Sequence, residues 1–173
     1  EWGVESTGQS EVVLTRSAGG LSVRKSIAVF HGRMNGSLDL DIVVTADSAF
    51  RGPLELEWNL NLLGGGANPE AHYHWADQEI RHDAPGSVAA GVQLSFGNRY
   101  EGVAISVQLE PAAPQQWFPV ETVSNSEAGF ERVYQGSCLT QRWPLELAAG
   151  ESKRFTVTMA FKQTRDRAGE EAG

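Results

Sequence analysis

Residues 64–87 contain three of the chain's four histidines, together with a tyrosine and a tryptophan. His72 and His74 are two positions apart, so on an extended segment their side chains share one face. Imidazole nitrogens bind zinc, and the candidates for a further ligand are Glu70, Asp77 and His82. The alternative is a polar loop with partly exposed histidines. Because no further ligand spacing supports a zinc site, we predict no metal.

The aromatic side chains of this segment favour a sugar ligand. Tyr73 and Trp75 offer flat apolar rings on which a pyranose can stack. Asn68 and His72 lie close by in the chain and can exchange hydrogen bonds with hydroxyl groups. These four residues are therefore candidates for carbohydrate binding. The alternative is a loop that its own aromatic side chains hold in place.

A second group of candidates lies in the segment LELEWNL, residues 54–60. Its even positions are apolar and its odd positions are polar, which is typical of a half-buried strand. The polar side chains Glu57 and Asn59 then share a face, with Glu55 and Asn61 on either side. This face is either a solvated sheet surface or part of a sugar-binding surface. Exposed strands often carry two carboxylates, so we do not predict a glycosidase pair here.

The third candidate is Glu127, in a polar segment from residue 118 to residue 136. Ser124 and Glu127 have the spacing of a capping box, but Gly129 follows so closely that any helix is limited to one turn. Glu127 is either a further polar contact to a sugar or a side chain that holds the segment by hydrogen bonds.

Strands must position these side chains, because alternation of apolar and polar residues dominates the chain. It recurs over residues 38–44, 54–62, 88–96, 103–109 and 155–161, and two further strands are predicted over 11–16 and 21–30. The pair Asn35-Gly36 predicts a hairpin turn, and Asn98 marks another. The pattern predicts an all-β fold, an antiparallel β-sandwich with few, short helices.

The sandwich is expected to form a single domain over residues 1–161, followed by a frayed polar tail over 162–173. Two long segments, 64–87 and 111–136, show no alternation and are predicted to be irregular loops. The N-terminus lacks a methionine and a signal sequence, so we interpret the chain as a piece of a longer protein.

Composition excludes several classes of partner. The formal net charge is −8, which disfavours nucleic acid and anionic membranes but is indifferent to a neutral sugar. A single cysteine, Cys138, fits a reducing compartment, and we expect a cytoplasmic protein. The sequence contains no P-loop, dinucleotide fingerprint, HExxH or GxSxG motif. We therefore predict neither a cofactor nor a catalytic residue.

One motif resembles a known family. The run PVETVSNSEAGFE at residues 119–131, followed by YQG at 134–136, is similar to a signature in the C-terminal β-domain of family 57 glycoside hydrolases. These are enzymes of the 4-α-glucanotransferase and α-amylase type. The segments 54–60, 143–145 and 155–161 also look like that domain. The resemblance covers most of the chain from Leu54 onward.

The resemblance implies a β-sandwich related to the galactose-mutarotase-like supersandwich. It also implies that catalysis takes place in a separate barrel that acts on α-1,4-glucans, so no residue here inherits a catalytic role. The predicted function is a non-catalytic accessory domain that binds an α-glucan or oligosaccharide. One alternative is a structural domain that packs on the catalytic barrel of the parent chain and stabilises it. Another is a mutarotase or epimerase, with His72 or His74 paired with Glu57 or Glu127 as acid and base.

Overall fold

The computed structural model describes residues 1–61, 68–126 and 129–164. None of these residues forms a helix, and together they form eleven β-strands. Their bounds in chain order are β1 Gly3–Thr7, β2 Glu11–Ala18, β3 Leu21–His31, β4 Asn35–Ala46, β5 Phe50–Leu60, β6 Ala71–Trp75, β7 Gln78–Arg81, β8 Gly86–Asn98, β9 Val103–Ser126, β10 Gly129–Leu147 and β11 Ser152–Gln163.

The strands form two layers, and all neighbouring strands pair in an antiparallel direction. The first layer has the order β1-β2-β3-β4-β11-β9-β8-β6-β7. The second consists of β5 and β10 with the later parts of β9 and the earlier parts of β8. The 24-residue strand β9 joins the layers, because residues 103–110 pair with β11 and residues 115–126 pair with β10. The predicted antiparallel sandwich is confirmed.

The core lies between the two layers and follows the predicted alternation. Leu40, Ile42 and Val44 of β4 are buried, while the odd positions between them are not. The largest buried side chains are Trp117 on β9 and Trp143 on β10. Each strand therefore has an inner face, which packs in the core, and an outer face turned away from it.

Both segments predicted to be irregular loops contain paired strands. Residues 64–87 include the hairpin of β6 and β7, and residues 111–126 and 129–136 belong to β9 and β10. The prediction was wrong because alternation reports burial of one face, whereas strand pairing needs only backbone hydrogen bonds. Residues 122–125 and 129–133 are exposed on both faces, and the buried face of residues 113–117 includes the polar Gln115, so apolar and polar residues do not alternate there.

The alternation over residues 88–96 places Val92 on the same face as Leu94 and Phe96 and so predicts that it is buried in the core. Val92 is 54% exposed. The pairing of β8 with β9 shifts register between Val88 and Gln93, with Gly91 in the middle. Such a bulge reverses the faces of the residues around it, which explains the exposed valine.

The turns and the end of the chain differ slightly from expectation. The amide of Gly32 donates to the carbonyl of Asn35 at 2.6 Å, so the turn precedes the Asn35-Gly36 pair, which begins β4. Asn98 ends β8, and its Oδ1 accepts from the amide of Glu101 at 3.2 Å, as a turn residue does. Strand β11 continues into the segment assigned to the tail, because Lys162 pairs with Asn35. Residues 165–173 lie outside the described part of the chain.

Candidate functional site

Because β6 is a strand, the neighbouring candidates Tyr73 and His72 point to opposite faces. Tyr73 is fully buried, with its ring centroid 5.3 Å from that of Trp117 and 5.8 Å from that of Phe96. Burial raises the pKa of its phenol to about 12. Tyr73 is therefore part of the core and offers no ring face to a ligand, contrary to the sequence-based prediction.

Trp75 shares the inner face of β6 with Tyr73 and packs against the core cluster. Its ring lies against the backbone of Gly91, since a Cβ added there would be 2.6 Å from Trp75 Cζ3. One side of the indole is thus covered, although the residue as a whole is only half-buried. Trp75 remains a candidate contact, with less accessible surface than the sequence suggested.

The other candidates do not converge on one site. Glu57 and Asn59 lie on the outer face of β5, where Asn59 Nδ2 donates to Glu57 Oε1 at 2.9 Å. That face and the outer face of β6, which carries His72, are on opposite sides of the core. Asn68 Oδ1 accepts from the amide of Glu70 at 2.9 Å and so stabilises a turn. Glu127 lies outside the described residues.

This separation bears on the mutarotase alternative. An acid and a base for that reaction must flank one sugar carbon. His72 and His74 lie on β6 in the first layer and Glu57 lies on β5 in the second, so the structure does not bring those pairs together.

The two histidines form one end of the outer face of the first layer. Their ring centroids are 4.6 Å apart in an edge-to-face arrangement, and His74 Nε2 is 3.4 Å from Glu79 Oε2. Arg99 donates to the same carboxylate and thereby lowers the pKa of Glu79. His82, a candidate zinc ligand on sequence grounds, is buried and stacks on Tyr134. No group of three potential ligands among the described residues is arranged to hold a metal ion.

His72 makes the stability of the fold depend on pH. Burial lowers the pKa of His72, although its Nδ1–H donates to the Glu70 carbonyl at 2.9 Å and opposes that shift. The folded chain then holds the proton less tightly than the unfolded chain, so stability falls as the pH drops below about 6.5. We expect His72→Gln to lose less stability than the wild type between about pH 7 and about pH 5, measured by urea unfolding. Equal losses would contradict this role of His72.

The strand registers align a second set of residues, which the sequence did not single out. Phe30 of β3 pairs with Ser37 of β4, and this row of directly paired residues continues across the strands of the first layer. Its further members, each paired directly with the one before, are Ala160, Ser106, Ser95 and His74. Small side chains thus form the middle of this row, with an aromatic ring at each end.

These small residues form the floor of an open cleft of about 940 Å³, here called the outer cleft. Its walls come from the β3–β4 turn and the end of β11, and include Phe30, His31, Met34 and Lys162. The ring of Phe30 is 56% exposed. Because serine and alanine side chains are short, a flat ligand can lie close to the sheet.

The outer cleft suits a neutral, hydroxylated ring. Ser37, Ser95 and Ser106 provide hydroxyl groups that donate and accept hydrogen bonds. Phe30 provides an apolar surface on which a ring can stack. The sequence contained no local signal for this site, because single serines and alanines on outer faces are common. Only the strand registers bring them together.

Comparison with known proteins gives a consistent picture. Residues 2–159 match a protein-family model described as α-amylase/4-α-glucanotransferase, C-terminal. Alpha-amylase 1 of Dictyoglomus thermophilum is 32% identical over 129 residues, which are 71% of this chain and 18% of that protein. The chain therefore spans about a fifth of the length of that relative.

Solved structures show the same fold. A 4-α-glucanotransferase from Thermococcus litoralis matches with a TM-score of 0.63 and 19% identity, over 94% of this chain and 22% of that one. A putative aldose 1-epimerase from Escherichia coli K12 matches with a TM-score of 0.62 and 15% identity, over 94% and 69%. A galactose mutarotase related enzyme from Lactobacillus acidophilus matches with a TM-score of 0.60 and 8% identity, over 96% and 72%. The fold is thus galactose-mutarotase-like, as the sequence resemblance implied.

Proposed function

The chain belongs to the family of C-terminal domains of α-amylases and 4-α-glucanotransferases, and from that premise we propose that it is an accessory domain that binds a neutral α-glucan in the outer cleft. Enzymes with the family's name act on α-glucans, so maltooligosaccharides are the natural ligands to consider. The domain contributes binding, and the reaction takes place elsewhere in the parent enzyme.

The observation that carries this proposal is the row of short side chains between two rings on the outer face of the first layer. Its floor carries no charged side chain, although the protein as a whole has a net charge of −8. Burying a charge against a neutral sugar would cost free energy, so an uncharged floor suits such a ligand. Lys162 is at the rim, where its ammonium group stays in water.

Phe30→Ala tests the site. We expect it to weaken binding of maltoheptaose about tenfold, because a lost ring contact costs about 1–1.5 kcal/mol. Ala160→Leu should weaken binding as well, since Ala160 is exposed in the middle of the floor and a larger side chain there occupies the cleft. Isothermal titration calorimetry on the isolated chain measures both effects.

Phe130→Ala is the matched control, because Phe130 is an exposed phenylalanine outside the cleft. It should bind the sugar as the wild type does. No binding by the wild type at millimolar sugar would refute the proposal, and so would equal losses in the Phe30 and Phe130 variants.

The alternative function, support of the catalytic part of the parent enzyme, is favoured by a different observation. The hairpin of residues 120–126 and 129–136 extends from the second layer as a ribbon that exposes apolar side chains, and none of its residues lines the outer cleft.

A further inference from the structure

The ribbon is the hairpin formed by residues 120–126 of β9 and 129–136 of β10, here called the arm. Pairing of β8 with β9 ends at Trp117, and pairing of β5 with β10 ends at Ser137. Among the described residues beyond those points, the two strands of the arm pair only with each other, and the stacking of Tyr134 on His82 packs the base of the arm against the domain. A two-stranded ribbon that no other element covers is marginally stable in water, so the rest of the arm has little reason to extend alone.

Both faces of the arm expose large apolar side chains. On one face, Phe130 is 83% exposed and Val123 is 64% exposed. On the other, Val120 and Val133 are each 39% exposed, and Phe118 continues this stripe onto the second layer. Soluble domains rarely expose contiguous apolar surface unless it forms an interface. Because each face exposes two large apolar side chains among its polar ones, the arm suits insertion between two walls better than contact with one flat surface.

The net charge of the chain argues against self-association through the arm. Glu121 and Arg132 form an ion pair at 2.5 Å and compensate each other. The chain as a whole carries a net charge of −8, so two copies repel each other. A different partner that presents an apolar cleft has no such penalty.

We infer that the arm docks into an apolar cleft of the N-terminal portion of the parent enzyme. The family describes C-terminal domains, and this chain spans 18% of the amylase and 22% of the glucanotransferase that it matches. Roughly four-fifths of each of those two enzymes therefore lies outside the region that this domain matches, in the same polypeptide. That portion is covalently attached, which makes its effective concentration at the arm high. This inference does not depend on sugar binding.

The first test uses a chimera in which this chain replaces the matching C-terminal region of Alpha-amylase 1 of Dictyoglomus thermophilum. The double variant Val123→Thr/Phe130→Ser makes the arm polar and keeps residues that suit a strand. We expect it to lower the melting temperature of the chimera by about 5 °C, and that of the isolated chain by less than about 1 °C. The control is Val92→Thr, which changes a 54% exposed valine on β8 outside the arm.

A second format keeps the test decisive if the chimera does not fold. The N-terminal portion of the same amylase and this chain, carrying an affinity tag, are co-expressed as separate polypeptides. The wild-type chain should retain the N-terminal portion on the affinity resin, and the arm variant should retain at least about tenfold less. Phe30→Ala should retain it like the wild type, which separates docking from sugar binding.

Three results would overturn the inference. One is an arm variant that behaves like Val92→Thr in the folded chimera or in the split pair. Another is a wild-type chain that neither forms a folded chimera nor retains the N-terminal portion on the affinity resin. The last is a wild-type dimer in sedimentation velocity that the arm variant dissociates, because the arm would then bind a second copy of this chain.

Discussion

The Trp117→Ala variant is expected to lose about 3–5 kcal/mol of unfolding free energy, the usual cost of removing a large buried aromatic side chain. Trp117 is almost completely buried and packs on Tyr73 at a centroid distance of 5.3 Å. A Cβ added at Gly86 would lie 2.7 Å from Trp117 Nε1, so the indole fills its space closely. It also occupies the point where β8, β9 and β10 meet, so the structure around it cannot easily close the cavity.

Chemical denaturation of the isolated chain measures the effect. Phe118→Ala is the natural control, because it removes an aromatic side chain at the next position of β9, on the outer face, where the ring is 44% exposed. That variant should lose about 1 kcal/mol or less, since nearly half of the surface of Phe118 already contacts water. Similar losses at positions 117 and 118 would contradict the assignment of the two faces of β9.

Gly97→Ala should be the second most damaging substitution, with an expected loss of about 3 kcal/mol, at the upper end of the cost of overpacking. An added Cβ would collide with the carbonyl oxygen of Val103 and lie 3.2 Å from Ala104 Cα. Both are backbone atoms of the paired strand β9, so the collision is relieved only if β8 and β9 separate. The same strands carry Ser95 and Ser106, so sugar binding in the outer cleft should fall together with stability.

Thermal and urea unfolding test this second prediction. The matched control is Gly3→Ala, because a Cβ there would meet Thr15 Oγ1 at an ordinary 3.5 Å. We expect Gly3→Ala to change stability by less than about 0.5 kcal/mol. A Gly97→Ala variant with wild-type stability would show that β8 and β9 are not paired as described.

The two proposed roles use separate parts of the molecule. The outer cleft lies on the first layer, and the arm extends from the second. An accessory domain of this form can hold an α-glucan on one surface and the enzyme that processes it on another. The pair Phe30→Ala and Phe130→Ala distinguishes the roles, because each variant serves as the control for the other.

The site residues show how far local pattern can be trusted. Tyr73, Trp75 and His72 are close in sequence and were expected to act together. Once β6 forms, two of them face the core and the third faces outward. Residues that are adjacent on a strand point to opposite faces, so direct neighbours in an aromatic cluster cannot line one surface once the strand forms.

The sequence alone determined the fold class and the core of the central strands. Apolar residues at every second position, as in Leu40, Ile42 and Val44, bury one face whatever the neighbouring strand is. The motif at residues 119–131 also pointed to the family that the comparisons show.

Only the tertiary structure decided which residues share a surface. The outer cleft depends on the registers of strands far apart in the chain, such as Phe30 with Ser37 and Ser37 with Ala160. The arm depends on where β5 and β8 stop pairing. A local pattern predicts which face of a strand is buried, but the pairing of distant segments decides where the register shifts and where a strand stops, as the exposed Val92 shows.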